Sequence, residues 1–313
     1  MFELIKRTND KTERITNLFD YNRIIEKRPY WENTFLSNGL YGTSYCLKRY
    51  SGYAKKIMCA IEHGMPHTFE NEFELNGNPA DILLVASEER KSVLQGHTNK
   101  NVIPYGPLIA YSKVLFDENV IKDMKDNLGK TLLVYPMHSI EEYHFSNSTD
   151  DFIKYIEEIK VKYAFDTVLV SVYFIDILRG FHVRFLQKGW QIMCAGNRIN
   201  YDFMDCQRTI MELADLVVCQ GYSSALGYAG YLKKSIMFKD LPLIVRHNGE
   251  IEEQDMWMQY KKDLIDLFSD YHDNLTDKQY QFLKNLYGYE SVKTPEELKK
   301  IFEMSEPRRI WRL

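Results

Sequence analysis

Short apolar runs punctuate the chain at two densities. In the first half, "KKIMCAIEHG", "DILLVASE" and "NVIPYGP" each read as a strand stopped by Gly, Pro or polar residues. The first 50 residues before them are polar and aromatic, with weak periodicity. After Gly129 the pattern sharpens. "TLLVYPMHS" is an apolar strand, and "DDFIKYIEEIKVKY" is an amphipathic helix with acidic residues at its start, where the helix dipole favours them. "TVLVSVY", "WQIMCAG", "DLVVCQ" and "SIMF" are further strands, alternating with helices over "FIDILRGFHVRFLQKG", "YDFMDCQRTIMELA" and "SSALGYAGYLKK". Strands that are apolar throughout are buried on both faces. Their alternation with helices predicts a parallel sheet and a Rossmann-like domain from about residue 130 to 240. The tail beyond Lys239 reads as mostly helical, most clearly over "EIEEQDMWMQYKKDLIDLFSDY".

At 313 residues the chain is too long for one ordinary core and suits two domains. A net charge of −4 provides no global basic field for nucleic acid, so none is expected as a partner. The five cysteines (Cys46, Cys59, Cys194, Cys206 and Cys219) form no CxxC pair and read as reduced thiols. The first 20 residues hold no apolar signal core, and no run approaches the roughly 20 apolar residues of a membrane span. These features predict a soluble, cytoplasmic protein.

In an open α/β sheet, ligands bind beyond the carboxyl ends of the strands. That rule selects His138 and Ser139 after the first strand of the second half, and Tyr173 and Asp176 after the next. Gly196, Asn197 and Arg198 follow the third, and Gln220, Gly221, Tyr222, Ser223 and Ser224 the fourth. "GYSS" stands where a buried strand hands over to a helix. The free N–H groups and dipole of that helix start, with two hydroxyls beside them, suit a phosphate. The plainer alternative is that Ser223 only caps the helix. His138 and Arg198 on the same rim tip the expectation towards phosphate binding.

Several chemistries lack their motif. There is no GxGxxG after a first strand, no P-loop and no G-x-S-x-G elbow. No aspartates are spaced D-x-D, so no metal is expected on a diphosphate, and no cofactor is called for. In the first half, Glu62, His63 and Gly64 end a strand, with His67 nearby. Either Glu62 or His63 suits acid–base work, and a packed or surface histidine is the bland alternative. His182 falls within a predicted helix, and His97, His144, His247 and His272 lie in polar stretches as surface residues. The basic, aromatic "PRRIWRL" at the end suits contact with an anionic membrane surface, and equally an ordinary tail.

The segments "IEHG", "VIPYGPLIAYSKV", "TLLVYPMHS" and "ADLVVCQGYSSALGYAGYLKKSIMF" resemble bacterial capsule and surface-polysaccharide glycosyltransferases of the GT-B architecture, over roughly residues 55 to 240. Transferases using cytidine nucleotides, such as bacterial sialyltransferases and Kdo transferases, carry a His-Pro pair and a Ser-Ser or Ser-Thr pair at the matching strand ends. Ser223-Ser224 fits, whereas His138 is followed by Ser139 rather than Pro. The resemblance implies two Rossmann-like domains facing a cleft, with parallel sheets covered by helices on both faces. Residues 1–128 would hold the acceptor and residues 129–245 the nucleotide-sugar donor, while residues 246–313 would pack back on the N-terminal domain.

The implied activity is metal-independent transfer of a sugar from a nucleotide donor to a glycan or lipid-linked acceptor, with contact to the inner membrane face. Glu62 or His63 would take the hydroxyl proton. Ser223, Ser224 and the helix start would hold phosphate, with Tyr173, Asn197, Gln220 and Gly221 around it. His138 would donate to the leaving phosphate, beside Ser139, and Arg198 would offset its charge. Two rivals share this fold: transfer of a polyol phosphate from a CDP-linked donor, and a non-catalytic sugar-nucleotide or glycan-binding protein.

Overall fold

The computed structural model describes residues 15–29, 36–64, 79–139, 144–145, 149–241, 244–247, 250–253 and 258–306. Two parallel sheets organise them. The smaller has strands β1 (Ala60–Ile61), β2 (Ile82–Val85) and β3 (Asn101–Pro104), in that spatial order. The larger has β4 (Thr131–Tyr135), β6 (Thr167–Ser171), β7 (Gln191–Met193), β8 (Leu216–Gln220) and β9 (Ser235–Lys239). Its order, β7-β6-β4-β8-β9, is the doubly wound 3-2-1-4-5 arrangement. Every pairing in both sheets is parallel. The fold is thus α/β with two parallel sheets flanked by helices, the class the strand pattern implies.

The buried β strands explain why their sequences do not alternate. Leu132, Leu133 and Val134 of β4 and Leu216, Val217, Val218 and Cys219 of β8 are fully enclosed, because helices cover both faces. The helices Thr149–Lys162, Phe203–Glu212 and Ser224–Tyr231 connect these strands.

Chain order does not follow the division between the two units. Leu18 and Ile24 precede the small sheet, yet they are buried in the core of the large one. Arg28 ties that segment down, pairing with Asp202 at 3.1 Å while its backbone N–H donates to Asn200. At the other end, the helices Met258–Phe268 and Asp277–Tyr287 place Leu264, Phe268, Leu283, Leu286 and Tyr287 in the same large core. The last helix, Pro295–Met304, packs into the core of the small unit instead, where Leu298 and Phe302 join Cys46 and Leu47.

Two local expectations need correction. The helical reading that began at Glu250 starts too early. Residues Glu250–Glu253 are strand β11, paired antiparallel with β10 (Ile244–His247), which in turn pairs with β5 (His144–Phe145). Asn248-Gly249, between the two strands in the chain, is the dipeptide that hairpins favour. The helix proper starts at Met258. The second correction concerns the polar first 50 residues, which contain the helix Thr43–Ser51, flanked by left-handed Gly42 and Gly52. Its buried residues include Thr43, Ser44, Cys46 and Ser51, so hydroxyls and a thiol replace the aliphatic stripe that hydropathy detects. His67 and the basic tail at residues 307–313 lie outside the described residues. Among the described residues no helix is long and apolar enough to cross a membrane.

Candidate functional site

The carboxyl ends of both sheets converge on one cavity of about 460 Å³. From the small sheet come Glu62, His63 and Gly64 after β1, Ala86 after β2 and Tyr105-Gly106-Pro107 after β3. The large sheet supplies the residues after β4, β6, β7 and β8. The order of the large sheet reverses between β4 and β8, which is where doubly wound folds open a crevice.

Gln220 lies at that reversal. Its Oε1 accepts from the Met137 N–H at 3.2 Å, joining the loops after β4 and β8. The side chain is buried, and its Nε2 has no hydrogen-bond partner among the described residues. A buried amide donor left unmatched costs about 1–3 kcal/mol, so it is a donor held ready for a ligand. Ser223 occupies the N-cap position of the helix Ser224–Tyr231 but makes no capping hydrogen bond. Its hydroxyl is enclosed beside the Cys219 thiol and has no stronger partner. The simple capping role therefore does not describe Ser223. Ser224 lines the cavity beside it, one turn before Tyr228. Gly221 is left-handed at φ 74°, and a Cβ there would sit 3.0 Å from the Met137 methyl, so glycine permits this tight junction.

Gly227 and Gly230 let a tail helix press against the seat helix. A Cβ on either would collide with Tyr287, or with Tyr289 and Leu283. The Tyr287 hydroxyl donates to the Ser223 carbonyl at 3.0 Å, and Tyr289 donates to the Gly227 carbonyl at 2.7 Å. The start of the seat helix is thus fixed from behind.

Across the cavity, Glu62 is not free to act. Arg90 donates to both of its oxygens, at 2.6–3.0 Å, with the two side chains 6% and 4% exposed. A carboxylate engaged in this way has its oxygens committed to charge-assisted hydrogen bonds. His63, the next residue, also lines the cavity, with its Nε2 shielded from solvent. Glu62 is the one carboxylate among the described lining residues, and Arg90 balances it, so the walls are close to neutral.

The remaining sequence candidates separate. His138 is exposed at the cavity wall, its ring 4.7 Å from that of Tyr173. Ser139 lies outside the lining, where its N–H donates to buried Asp176 at 2.9 Å and fixes the loop. Asn197 and Arg198 also lie outside. Asn197 turns its side chain onto the Ile199 N–H, and the Arg198 carbonyl accepts from the Tyr41 N–H. Arg198 thus touches a lining residue, Tyr41, through its backbone carbonyl and is not itself among the lining residues.

Sequence reasoning missed seven polar lining residues: Tyr41, Thr43, Tyr105, Tyr135, Ser171, Gln207 and Tyr228. Gln207 donates to the Tyr135 hydroxyl at 2.9 Å in the cavity floor. Tyr228 stands one turn inside the seat helix, a position that a strand-end rule does not reach. Tyr41 is left-handed at φ 56°, a conformation that costs a non-glycine residue about 1–3 kcal/mol. The Cys194 thiol also lines the cavity. Burial pushes it up to about 12, against smaller lowering by the Gly196 N–H and Arg28, so it is no thiolate nucleophile at neutral pH.

No protein-family model and no curated protein sequence matches the chain. Among solved structures it is similar to Neisseria meningitidis UDP-GlcNAc 2-epimerase bound to UDP-GlcNAc, at 14% identity and TM-score 0.43, covering 79% of this chain and 68% of that one. It is also similar to S. aureus MnaA in its UDP co-structure, at 14% identity and TM-score 0.42, covering 77% and 66%. A third is the wall teichoic acid polymerase TagF, at 15% identity and TM-score 0.39, covering 79% and 66%. The chain spans about two thirds of the length of each. Likeness at this level assigns neither activity nor ligand.

Proposed function

We propose that the chain is a metal-independent glycosyltransferase of surface-polysaccharide assembly, moving a sugar from a nucleotide donor to a hydroxyl of a glycan or lipid-linked acceptor. The observation that carries this reading is the two-walled cavity. One wall offers an unmatched Gln220 amide and the uncapped start of a helix, and the other offers His63. Donor phosphate would sit against Gln220 Nε2, the Ser223 hydroxyl and the first turn of the seat helix. His63 would accept the acceptor proton, because Glu62 is engaged by Arg90. His138 would give a proton to the leaving phosphate.

The test is calorimetric titration with UDP, CMP, CDP, GDP and dTDP, then with Gln220→Leu and Ser223→Ala. Each variant should weaken nucleotide binding by about 1–3 kcal/mol; Ser223→Ala removes a hydroxyl with no hydrogen-bond partner among the described residues, whereas Gln220→Leu also gives up the bond from the Met137 N–H, so circular dichroism checks that it folds. Undiminished affinity in both variants refutes the seat. Binding of every nucleotide with no transfer to any acceptor supports the non-catalytic alternative.

A further inference from the structure

We infer that Tyr41 is the platform on which the acceptor stacks, so that the acceptor presents a sugar ring rather than a linear polyol. This rests on reading the cavity as a transferase site. Tyr41 and Gly42 are consecutive left-handed residues, at φ 56° and 69°. Glycine suits that region and tyrosine does not. At Gly42 the reason is steric, because a Cβ would run into the Tyr201 carbonyl. At Tyr41 no such clash is found, and the side chain is only partly buried and lines the cavity. Strained backbone of this kind concentrates where a side chain must be aimed.

Three contacts hold it. The Tyr41 N–H donates to the Arg198 carbonyl, which fastens the small unit to the loop after β7. Its ring meets Phe203 edge to face at 5.2 Å. It also lies 6.2 Å from the His63 ring, tilted by 46°. Tyr228 of the helix Ser224–Tyr231 lines the same cavity; burial raises its phenol and a coulombic contribution from Tyr41 adds to that rise, so Tyr41 lies near that helix as well. The ring therefore stands next to the candidate base and within reach of the donor wall. An aromatic face is apolar with a negative quadrupole. A pyranose turns a flat C–H surface to such a face, and an extended polyol has none. Stacked there, a ring hydroxyl would be offered to His63.

Saturation-transfer NMR tests this, with methyl β-glucopyranoside, methyl β-galactopyranoside and the methyl glycoside of N-acetylglucosamine as probes, and glycerol 3-phosphate as the linear comparison. Spectra are taken with and without UDP or CDP. The variants are Tyr41→Phe, Tyr41→Ala and Tyr41→Asn. Asparagine tolerates the left-handed backbone, so Tyr41→Asn removes the ring without adding strain. Glycoside binding should persist in Tyr41→Phe and weaken about 2- to 10-fold in Tyr41→Ala and Tyr41→Asn, with nucleotide affinity unchanged. The inference is overturned if Tyr41→Asn binds glycosides as the wild type does, if glycerol 3-phosphate binds as well as the glycosides, or if no glycoside binds. Nucleotide titration scores the transferase reading separately. A chain that binds glycosides through Tyr41 but takes up no nucleotide loses that reading and keeps the platform.

Discussion

Replacing Arg90 by Met would expose how much the small unit depends on one ion pair. Arg90 lies in the first turn of the helix Glu88–Leu94 that follows β2, and it reaches Glu62 just after β1 with three N···O contacts between 2.6 and 3.0 Å. Both side chains are almost fully enclosed. Removing the guanidinium takes three hydrogen bonds and a counter-charge from a carboxylate shielded from water, which costs about 3–5 kcal/mol. Methionine keeps the stem volume, and the backbone N–H of residue 90 can still donate to Ser87, so the change isolates the charge. The neighbouring core is small (Ala60, Ala80, Leu83, Val85 and Leu94), so there is little else to absorb the loss. Urea unfolding followed by circular dichroism reads the total. Hydrogen exchange at the β2 amides reads where it falls. Adding Glu62→Gln to Arg90→Met removes the stranded charge and should recover a large part of the stability. Arg90→Met within about 0.5 kcal/mol of wild type, or a double variant no more stable than the single, refutes the reasoning. The pair also separates the two candidate bases. Glu62→Gln should act mainly on stability, whereas His63→Ala should cut turnover about 10²–10⁴-fold with donor affinity nearly intact.

Gly227→Ala should destabilise the protein by about 1–3 kcal/mol despite alanine's better helix propensity, because the new methyl enters the Tyr287 ring; a melting point at or above wild type would show the packing is wrong. Burial holds His182 below its ordinary pKa, with partial relief from a hydrogen bond to the Ile177 backbone. The neutral form is therefore favoured in the folded state. Its contribution is fully present above about pH 6.5 and is lost as pH falls through that value towards the folded pKa. His182→Gln should flatten the fall in denaturant midpoint between about pH 7.5 and 5.5, and an unchanged slope counts against it. Transfer activity should survive excess EDTA, as the missing D-x-D implies; loss on chelation with recovery on adding Mg²⁺ or Mn²⁺ would overturn that expectation.

The sequence alone determined the five-stranded sheet. A strand buried on both faces must be apolar throughout, and an amphipathic helix must follow before the next parallel strand, so "TLLVY", "TVLVS", "LVVCQ" and "SIMF" announce themselves locally. The strand-end rule then brought His63, His138, Gln220, Ser223 and Ser224 to what proved to be one cavity. Tertiary structure decided what each of them can do. Glu62 and His63 are neighbours in the chain, yet a partner 28 residues on engages only the first in a buried bidentate pair that no periodicity records. Arg198 sits at a strand end, and its backbone carbonyl accepts from the Tyr41 N–H, a contact no sequence pattern announces. Tyr41 comes from a stretch without pattern, because backbone conformation and a distant carbonyl place it rather than hydrophobicity. The N-terminal segment and the tail helices likewise dock wherever apolar area remains uncovered. That is a property of the assembled surface, and it cannot be read from a segment's own residues.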